Sequence, residues 1–276
     1  MDYLFSLLLG IIQGLTEFLP ISSSGHLQII NHFFNFLNES EDNFMLTIIL
    51  HFATCMSTII IFKKKIKHIL SNAIEFKKNS SHTFLYFIFI SMIPAVIVGF
   101  FLDHIIKLLF SGDIFLIGLM LVFNSIILLI ADNFKGGEKN LNTLRAFLIG
   151  VSQAIGIIPG ISRSGITIST SILLGMRRTE ASTFSFLMVI PLIIGSVIKS
   201  IIDKENFNFN IDLSILFVGF FGAFFTGIIA CKWMLHIVEN FKLKYFSFYC
   251  LIQSIEIRVV SRRPVWHNGM VFLDAK

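Results

Sequence analysis

The chain has 276 residues, of which 55% are hydrophobic and only 14% charged, and it contains 32 phenylalanines. Soluble globular chains carry about 25% charged residues, so this composition excludes a soluble domain with one anchor and calls for several membrane spans. The net charge of +5 does not point to nucleic acid, because the basic residues sit in short clusters between apolar runs, as they do in cytoplasmic loops. Cys55, Cys231 and Cys250 lie in or beside apolar runs without metal-ligand spacing and read as core fillers rather than a disulfide framework.

The first apolar stretch, residues 4–37, has no basic n-region, so no cleavable signal is expected. It breaks in the middle at GLTEFLPISSSGHL, residues 14–27. Apolar runs long enough to span a membrane follow at residues 44–62, 83–102 and 114–131. A second broken stretch occupies 145–176, and further runs lie at 181–202 and 213–236. Within hydrocarbon, non-helical backbone survives only where protein or a wet cavity satisfies its polar groups. Both broken stretches are therefore predicted to be re-entrant helix pairs. Pro94 and Pro191, inside spans, are expected at kinks.

Clusters of positive charge set the orientation. Lys63, Lys64, Lys65, Lys67, Lys77 and Lys78 place the 63–82 segment in the cytoplasm. Lys135, Lys139 and Arg145, then Arg177 and Arg178, and Lys232, Lys242 and Lys244 mark further cytoplasmic ends. The acidic stretch NESEDN, 38–43, belongs outside, and Asp103, His104 and Lys107 read as solvated residues at a span end. The chain between Arg145 and Arg178 must leave the cytoplasm and return, as a hairpin does.

The two broken stretches also resemble each other. Residues 10–25 read GIIQGLTEFLPISSSG and residues 150–165 read GVSQAIGIIPGISRSG; at a constant offset of 140, six of sixteen positions coincide. One hairpin followed by three spans makes an odd number of crossings, which turns the second copy upside down. The predicted fold class is thus an all-α polytopic membrane protein with an inverted-topology repeat, each half a re-entrant helix pair plus three transmembrane helices, with the hairpin tips meeting near the midplane. The boundaries are 1–133 and 141–248, with an atypical tail at 249–276.

Gln13 and Glu17 stand i, i+4 on one helix face. A carboxylate within a membrane is costly and marks function by default; the plainer alternative is a packing role beside the serines. Pro20 ends that helix, and Ser22, Ser23 and Ser24 offer hydroxyls at the next helix start. With His26 they form a carboxylate, hydroxyl and imidazole set suited to acid–base and nucleophilic chemistry. In the second tip, Arg163 lies between Ser162 and Ser164 and before Gly165. A guanidinium there requires an anion, either Glu17 itself or a phosphate gripped bidentately. One acid, one arginine and several hydroxyls read as phosphoryl chemistry assisted by a divalent cation at Glu17. His51 and Thr54 line the cavity or pack, with equal weight.

Gln13-x-x-x-Glu17-Phe-Leu-Pro-x-Ser-Ser-x-Gly-His26 and Pro159-Gly-x-Ser-Arg-Ser-Gly165, with Ile93-Pro-Ala95 and Phe184-Ser-Phe-Leu, resemble the undecaprenyl-diphosphatase (bacitracin-resistance protein) family over about residues 3–248. The resemblance implies a multi-pass enzyme of the bacterial inner membrane with its site open to the periplasm. Such enzymes hydrolyse undecaprenyl diphosphate to the monophosphate and inorganic phosphate with Mg²⁺ or Ca²⁺, recycling the lipid carrier of the cell wall. It implies catalytic roles for Glu17, Ser23, His26 and Arg163, phosphate binding by Gln13, Ser22, Ser162, Ser164 and Gly165, and metal binding by Glu17. A homodimer is left open. A transporter or flippase of a polyprenyl phosphate lipid is the alternative reading. Gln13 stands where many relatives have Glu, and Ala53 where a glycine is expected. In the tail, Glu256, Arg258, Arg262, Arg263 and Pro264 interrupt the last apolar run, so 245–255 is expected to be too short for a sixth span.

Overall fold

The computed structural model describes residues 3–34, 40–75, 79–102, 114–134, 136–202, 212–240, 242–260, 265–267 and 270–272. Residues Lys77, Lys78, Asp103, His104, Lys107, Lys135, Arg262, Arg263 and Pro264, on which sequence expectations fall, lie outside that set, as do the first two of the acidic stretch 38–43. The first broken stretch forms α1 (Tyr3–Phe18) and α2 (Ser23–Phe34). Then come α3 (Ser40–Ile61), α4 (Lys63–Ala73), α5 (Ser80–Phe101) and α6 (Ile114–Asn133). The second broken stretch forms α7 (Thr143–Ile155) and α8 (Arg163–Leu173), followed by α9 (Arg178–Ile202), α10 (Leu213–Asn240) and α11 (Lys244–Val260). Beyond α11, β1 (Val265–His267) and β2 (Met270–Phe272) pair as a short antiparallel ribbon.

Four of these helices, α5, α6, α10 and most of α9, are long and apolar enough to cross a membrane, and residues 45–61 of α3 pass the same test only when taken together with the bent α4. The protein is an all-α polytopic membrane protein. Its outer surface is rich in exposed apolar side chains, such as Phe217, Phe221, Phe225 and Ile229 at four-residue steps along α10. Lipid, not water, covers such a stripe without cost.

Both hairpins break where the sequence predicts. Pro20 follows α1 and withholds an N–H, and Ser22 adopts φ 69° before α2 begins. In the second hairpin, Gly160 takes φ 90° at the corresponding turn, a conformation that costs glycine little. The Ser22 and Ser162 hydroxyls then cap α2 and α8 alike, accepting from the N–H of Gly25 at 3.1 Å and of Gly165 at 3.0 Å.

The helix contacts exchange between the two halves. α1 packs on α10 as α7 packs on α5; α3 meets α10 as α9 meets α5; and α3–α9 and α6–α11 pair across the centre. The α1–α10 seam is very close. A Cβ on Gly10 would come within 2.3 Å of the Gly219 carbonyl oxygen, and one on Gly14 within 2.6 Å of that of Ala223. Gly150, 140 residues after Gly10, would likewise meet the Ser91 carbonyl oxygen of α5 at 2.3 Å. Small residues spaced by four let helix backbones approach where no hydrophobic force separates helix from lipid.

One segment differs from its sequence expectation. The 63–82 segment, expected as a cytoplasmic loop, contains α4, bent 77° from α3. Ile69 and partly buried Ile66 pack it against Phe84 and Leu85 of α5, while Lys63, Lys64 and Lys67 stay exposed, the pattern of an interfacial helix. The apolar run at 245–255 lies within a 17-residue helix, α11, about 26 Å long, which is not among the helices long and apolar enough to cross a membrane. Its buried face is set by Ser247, Cys250, Ser254 and Ile257, against α6. Glu256 and Arg258 fall on the exposed face, which is why these charges do not end the helix. The 248/249 boundary therefore lies inside α11 rather than at a break.

Replacing Gly14 with leucine should separate α1 from α10. Overpacking of this kind costs about 1–3 kcal/mol, and thermal unfolding in detergent should show the loss; a variant as stable as the parent would mean that the seam is not close.

Candidate active site

The two hairpin tips meet by reciprocal contacts. A Cβ on Gly25 would touch the Gly160 Cα at 3.4 Å, and one on Gly165 would touch the Pro20 Cβ at 3.1 Å. These are the same contact seen from either half, since the residues pair at the offset of 140. Between the tips stands a fully buried side chain from α6, Asn124. Its amide nitrogen donates to the Pro20 carbonyl at 2.9 Å, and its oxygen accepts from the Ser162 N–H at 3.3 Å. Asn124 thus bridges both breaks. Its signal in the sequence is a polar residue within an otherwise apolar span, outside both hairpin motifs.

Glu17 emerges from the end of α1 into this joint with its side chain only 6% exposed. Arg163, the first residue of α8, donates from Nη2 to its Oε1. The other carboxylate oxygen, Oε2, accepts from the Ser23 hydroxyl at 2.8 Å and from the Gln13 Nε2 at 3.0 Å. Four of the sequence-chosen residues, Gln13, Glu17, Ser23 and Arg163, therefore converge from both hairpins. Burial of either charge alone would cost several kcal/mol; paired and hydrogen-bonded, each offsets the other's desolvation.

The remaining serines hold the joint together. Ser22 and Ser162 are the helix caps already described. The Ser164 hydroxyl lies 3.3 Å from the carbonyl oxygens of both Glu17 and Leu19, to which it donates, serving acceptors that the end of a helix leaves open. Gly165 lies where the tips touch. Ser22, Ser162, Ser164 and Gly165 are all buried, so in this state they shape the site from beneath.

The imidazoles are arranged differently from the sequence expectation. His26 is turned away from the carboxylate: its Nδ1 lies 2.7 Å from the Ser22 carbonyl oxygen and its Nε2 2.7 Å from the Tyr249 hydroxyl of α11, with the two rings stacked. The one-turn spacing to Ser22 explains this, since it lets the ring reach back to the carbonyl at the helix start. The pair lines a cavity of about 510 Å³ whose other walls are mainly apolar, among them Ile12, Leu19, Ile30 and Phe246. The imidazole nearest Glu17 is instead that of His51 on α3, with Nε2 3.6 Å from Oε2. Thr54 is buried and donates to the His51 carbonyl at 2.9 Å. Nothing in the local sequence separates a cavity-lining His51 from a packed one; only the placement of α3 does so.

Asn124→Leu should leave the Pro20 carbonyl and the Ser162 N–H without their partner, at about 1–3 kcal/mol per buried group, read as a drop in thermal stability in detergent. Tyr249→Phe keeps the stacked ring and deletes one hydrogen bond of about 1 kcal/mol. Thermal unfolding in detergent should show a loss of about that size, and an unchanged midpoint would mean that the bond does not hold His26.

Residues 6–255 match the family model described as bacitracin resistance protein BacA. Among curated relatives, the undecaprenyl-diphosphatase of Christiangramia forsetii is 46% identical over 255 residues, covering 92% of this chain and 97% of its own length. That of Bacteroides fragilis is 41% identical over 95% of this chain and 99% of the relative, and that of Methanococcus vannielii 40% identical over 91% and 97%. With its paired hairpins intact and the match running almost end to end, this chain belongs to the bacitracin resistance protein BacA family.

Proposed function

We propose that this protein hydrolyses undecaprenyl diphosphate to undecaprenyl phosphate and inorganic phosphate in the bacterial inner membrane; the relatives reported above carry the name undecaprenyl-diphosphatase. This activity would recycle the cell-wall lipid carrier and confer bacitracin resistance. The observation that carries the reading is the contact of Glu17 with Arg163, an acid and a guanidinium delivered by separate hairpins to one buried point.

The chemistry follows from that geometry. The Arg163 side chain keeps 21% exposure, so part of its fork of donors remains open to the oxygens of the terminal phosphate. Charge on those oxygens is what phosphoryl transfer must stabilise. The N-termini of α2 and α8 add partial positive charge at the same tips. Ser23 directs its O–H at Glu17, leaving the oxygen lone pairs free. In this reading Oγ attacks the terminal phosphorus while Glu17 takes the proton, and the bond to the leaving undecaprenyl phosphate breaks. Water then releases inorganic phosphate from the serine, with Glu17 returning the proton to Oγ. His26 binds at the edge of the site, where its cavity gives the start of the prenyl chain an apolar wall.

The donor set also suits a divalent cation. The Gln13 Oε1 is buried with no hydrogen-bond partner among the described residues, while its Nε2 is bound to Glu17. An amide oxygen beside a carboxylate is the hard-oxygen pairing that Mg²⁺ or Ca²⁺ takes, with phosphate oxygens and water completing the shell. When bound, such an ion would neutralise charge on the diphosphate. Clustering of basic residues at Lys63–Lys67, Arg177–Arg178 and Lys242–Lys244 supports a cytoplasmic assignment for those ends, and with it a mouth on the periplasmic side.

Purified protein should release phosphate from undecaprenyl diphosphate and lose that activity in EDTA. Glu17→Ala, Arg163→Ala and Ser23→Ala should each lower turnover by at least about 100-fold. A folded preparation that moves the lipid across vesicles but releases no phosphate would favour transport over hydrolysis.

A further inference from the structure

We propose that His51 is a ligand of the divalent cation, binding it through Nε2 together with Glu17. This rests on the phosphatase reading above and adds a nitrogen donor that neither hairpin motif supplies. The argument begins at the far side of the ring. His51 Nδ1 lies 2.8 Å from the Thr47 carbonyl oxygen. A carbonyl only accepts, so Nδ1 carries a proton, and the Nδ1–H tautomer leaves a lone pair at Nε2. That lone pair faces the Glu17 Oε2 at 3.6 Å. In that tautomer two acceptors so placed repel unless an electrophile, a metal ion or a proton, lies between them.

Metal-binding histidines have this arrangement: the second ring N–H donates to a backbone carbonyl or carboxylate, which fixes tautomer and aim. Donor atoms sharing one ion, each at about 2.0–2.2 Å, can stand up to about 4.3 Å apart, and 3.6 Å falls within that reach. The carboxylate is divided accordingly. Arg163 takes Oε1, so the guanidinium stands on one side, and Oε2, which also accepts from Ser23 and Gln13, is the oxygen turned to His51, so an ion there would displace one of those two donors. The unpartnered Gln13 Oε1 belongs to the amide already bound to that same Oε2.

Two consequences follow. Among the described residues no three His, Cys, Asp or Glu side chains converge, so the diphosphate must supply the remaining strong donors and ion and substrate bind together. A mixed nitrogen and oxygen set also favours Mn²⁺ or Zn²⁺ over the all-oxygen preference of Ca²⁺.

The test uses Mn²⁺ with methylenediphosphonate, a diphosphate that cannot be hydrolysed, on the purified full chain. Electron spin echo spectroscopy of the wild type should show modulation from a directly coordinated nitrogen. His51→Gln should abolish it and weaken Mn²⁺ binding by about tenfold or more, whereas His26→Gln should retain it. Bound Mn²⁺ without nitrogen modulation, modulation that survives His51→Gln, or no Mn²⁺ binding at all would overturn the proposal. Because the probe is not turned over, the outcomes separate. Nitrogen ligation without phosphate release from undecaprenyl diphosphate would sink the phosphatase reading alone, and phosphate release with an oxygen-only signal would sink the ligand assignment alone.

Discussion

A carboxylate and a guanidinium inside a bilayer persist only if each meets the other, and here they arrive on different broken helices 146 residues apart in sequence. The rest of the architecture can be understood from that constraint. Each helix must stop in mid-membrane to deliver its charge, and each stop exposes backbone groups that hydrocarbon cannot satisfy. The two stops answer this for each other: Ser164 donates to carbonyls at the end of α1, and Asn124 serves one break with its nitrogen and the other with its oxygen. The polar joint and the charged pair are therefore mutually dependent.

The near-twofold exchange of helix contacts builds the joint, and departures from that symmetry supply the chemistry. Ser22 and Ser162 cap equivalent helices, and Gly25 and Gly165 touch equivalent backbones. At the next pair, Ser23 stands opposite Arg163, and Glu17 stands opposite Ile157. A symmetric site would hold two acids or two guanidiniums in contact, which like-charge repulsion forbids. Divergence at two positions brings a hydroxyl, a carboxylate and a guanidinium to a structural joint, the set that the proposed reaction uses, while the caps and glycines stay alike.

Sequence reasoning reached far in the hairpins because helix breaks and buried charge are local signals. Pro20, the serine caps and the glycines announce where the chain turns, and Glu17 and Arg163 are conspicuous in an apolar context. It reached less far for His26 and His51. Motif proximity joined His26 to Glu17, yet a ring one turn from Ser22 can fold back onto that residue's carbonyl, and Tyr249 from the last helix holds it there. His51 had no motif around it, and its position beside the carboxylate comes from α3 lying against α10 and α9. In the tail the charges mark the end of the apolar run, but only the packing shows Ile257 buried and Arg258 exposed on one helix, α11.

What the sequence by itself determined was the solvent of the protein, the two interrupted helices, their kinship at an offset of 140, and the identities of the acid, the hydroxyl and the guanidinium. Those features are written in residue type and local spacing, which is where hydrophobicity, proline and glycine act. Only the tertiary structure decided that Glu17 touches Arg163, that Asn124 spans both breaks, and which imidazole faces the carboxylate. Such contacts depend on helices distant in the chain packing at fixed heights and rotations, and that depends on the summed fit of many small side chains rather than on any single motif.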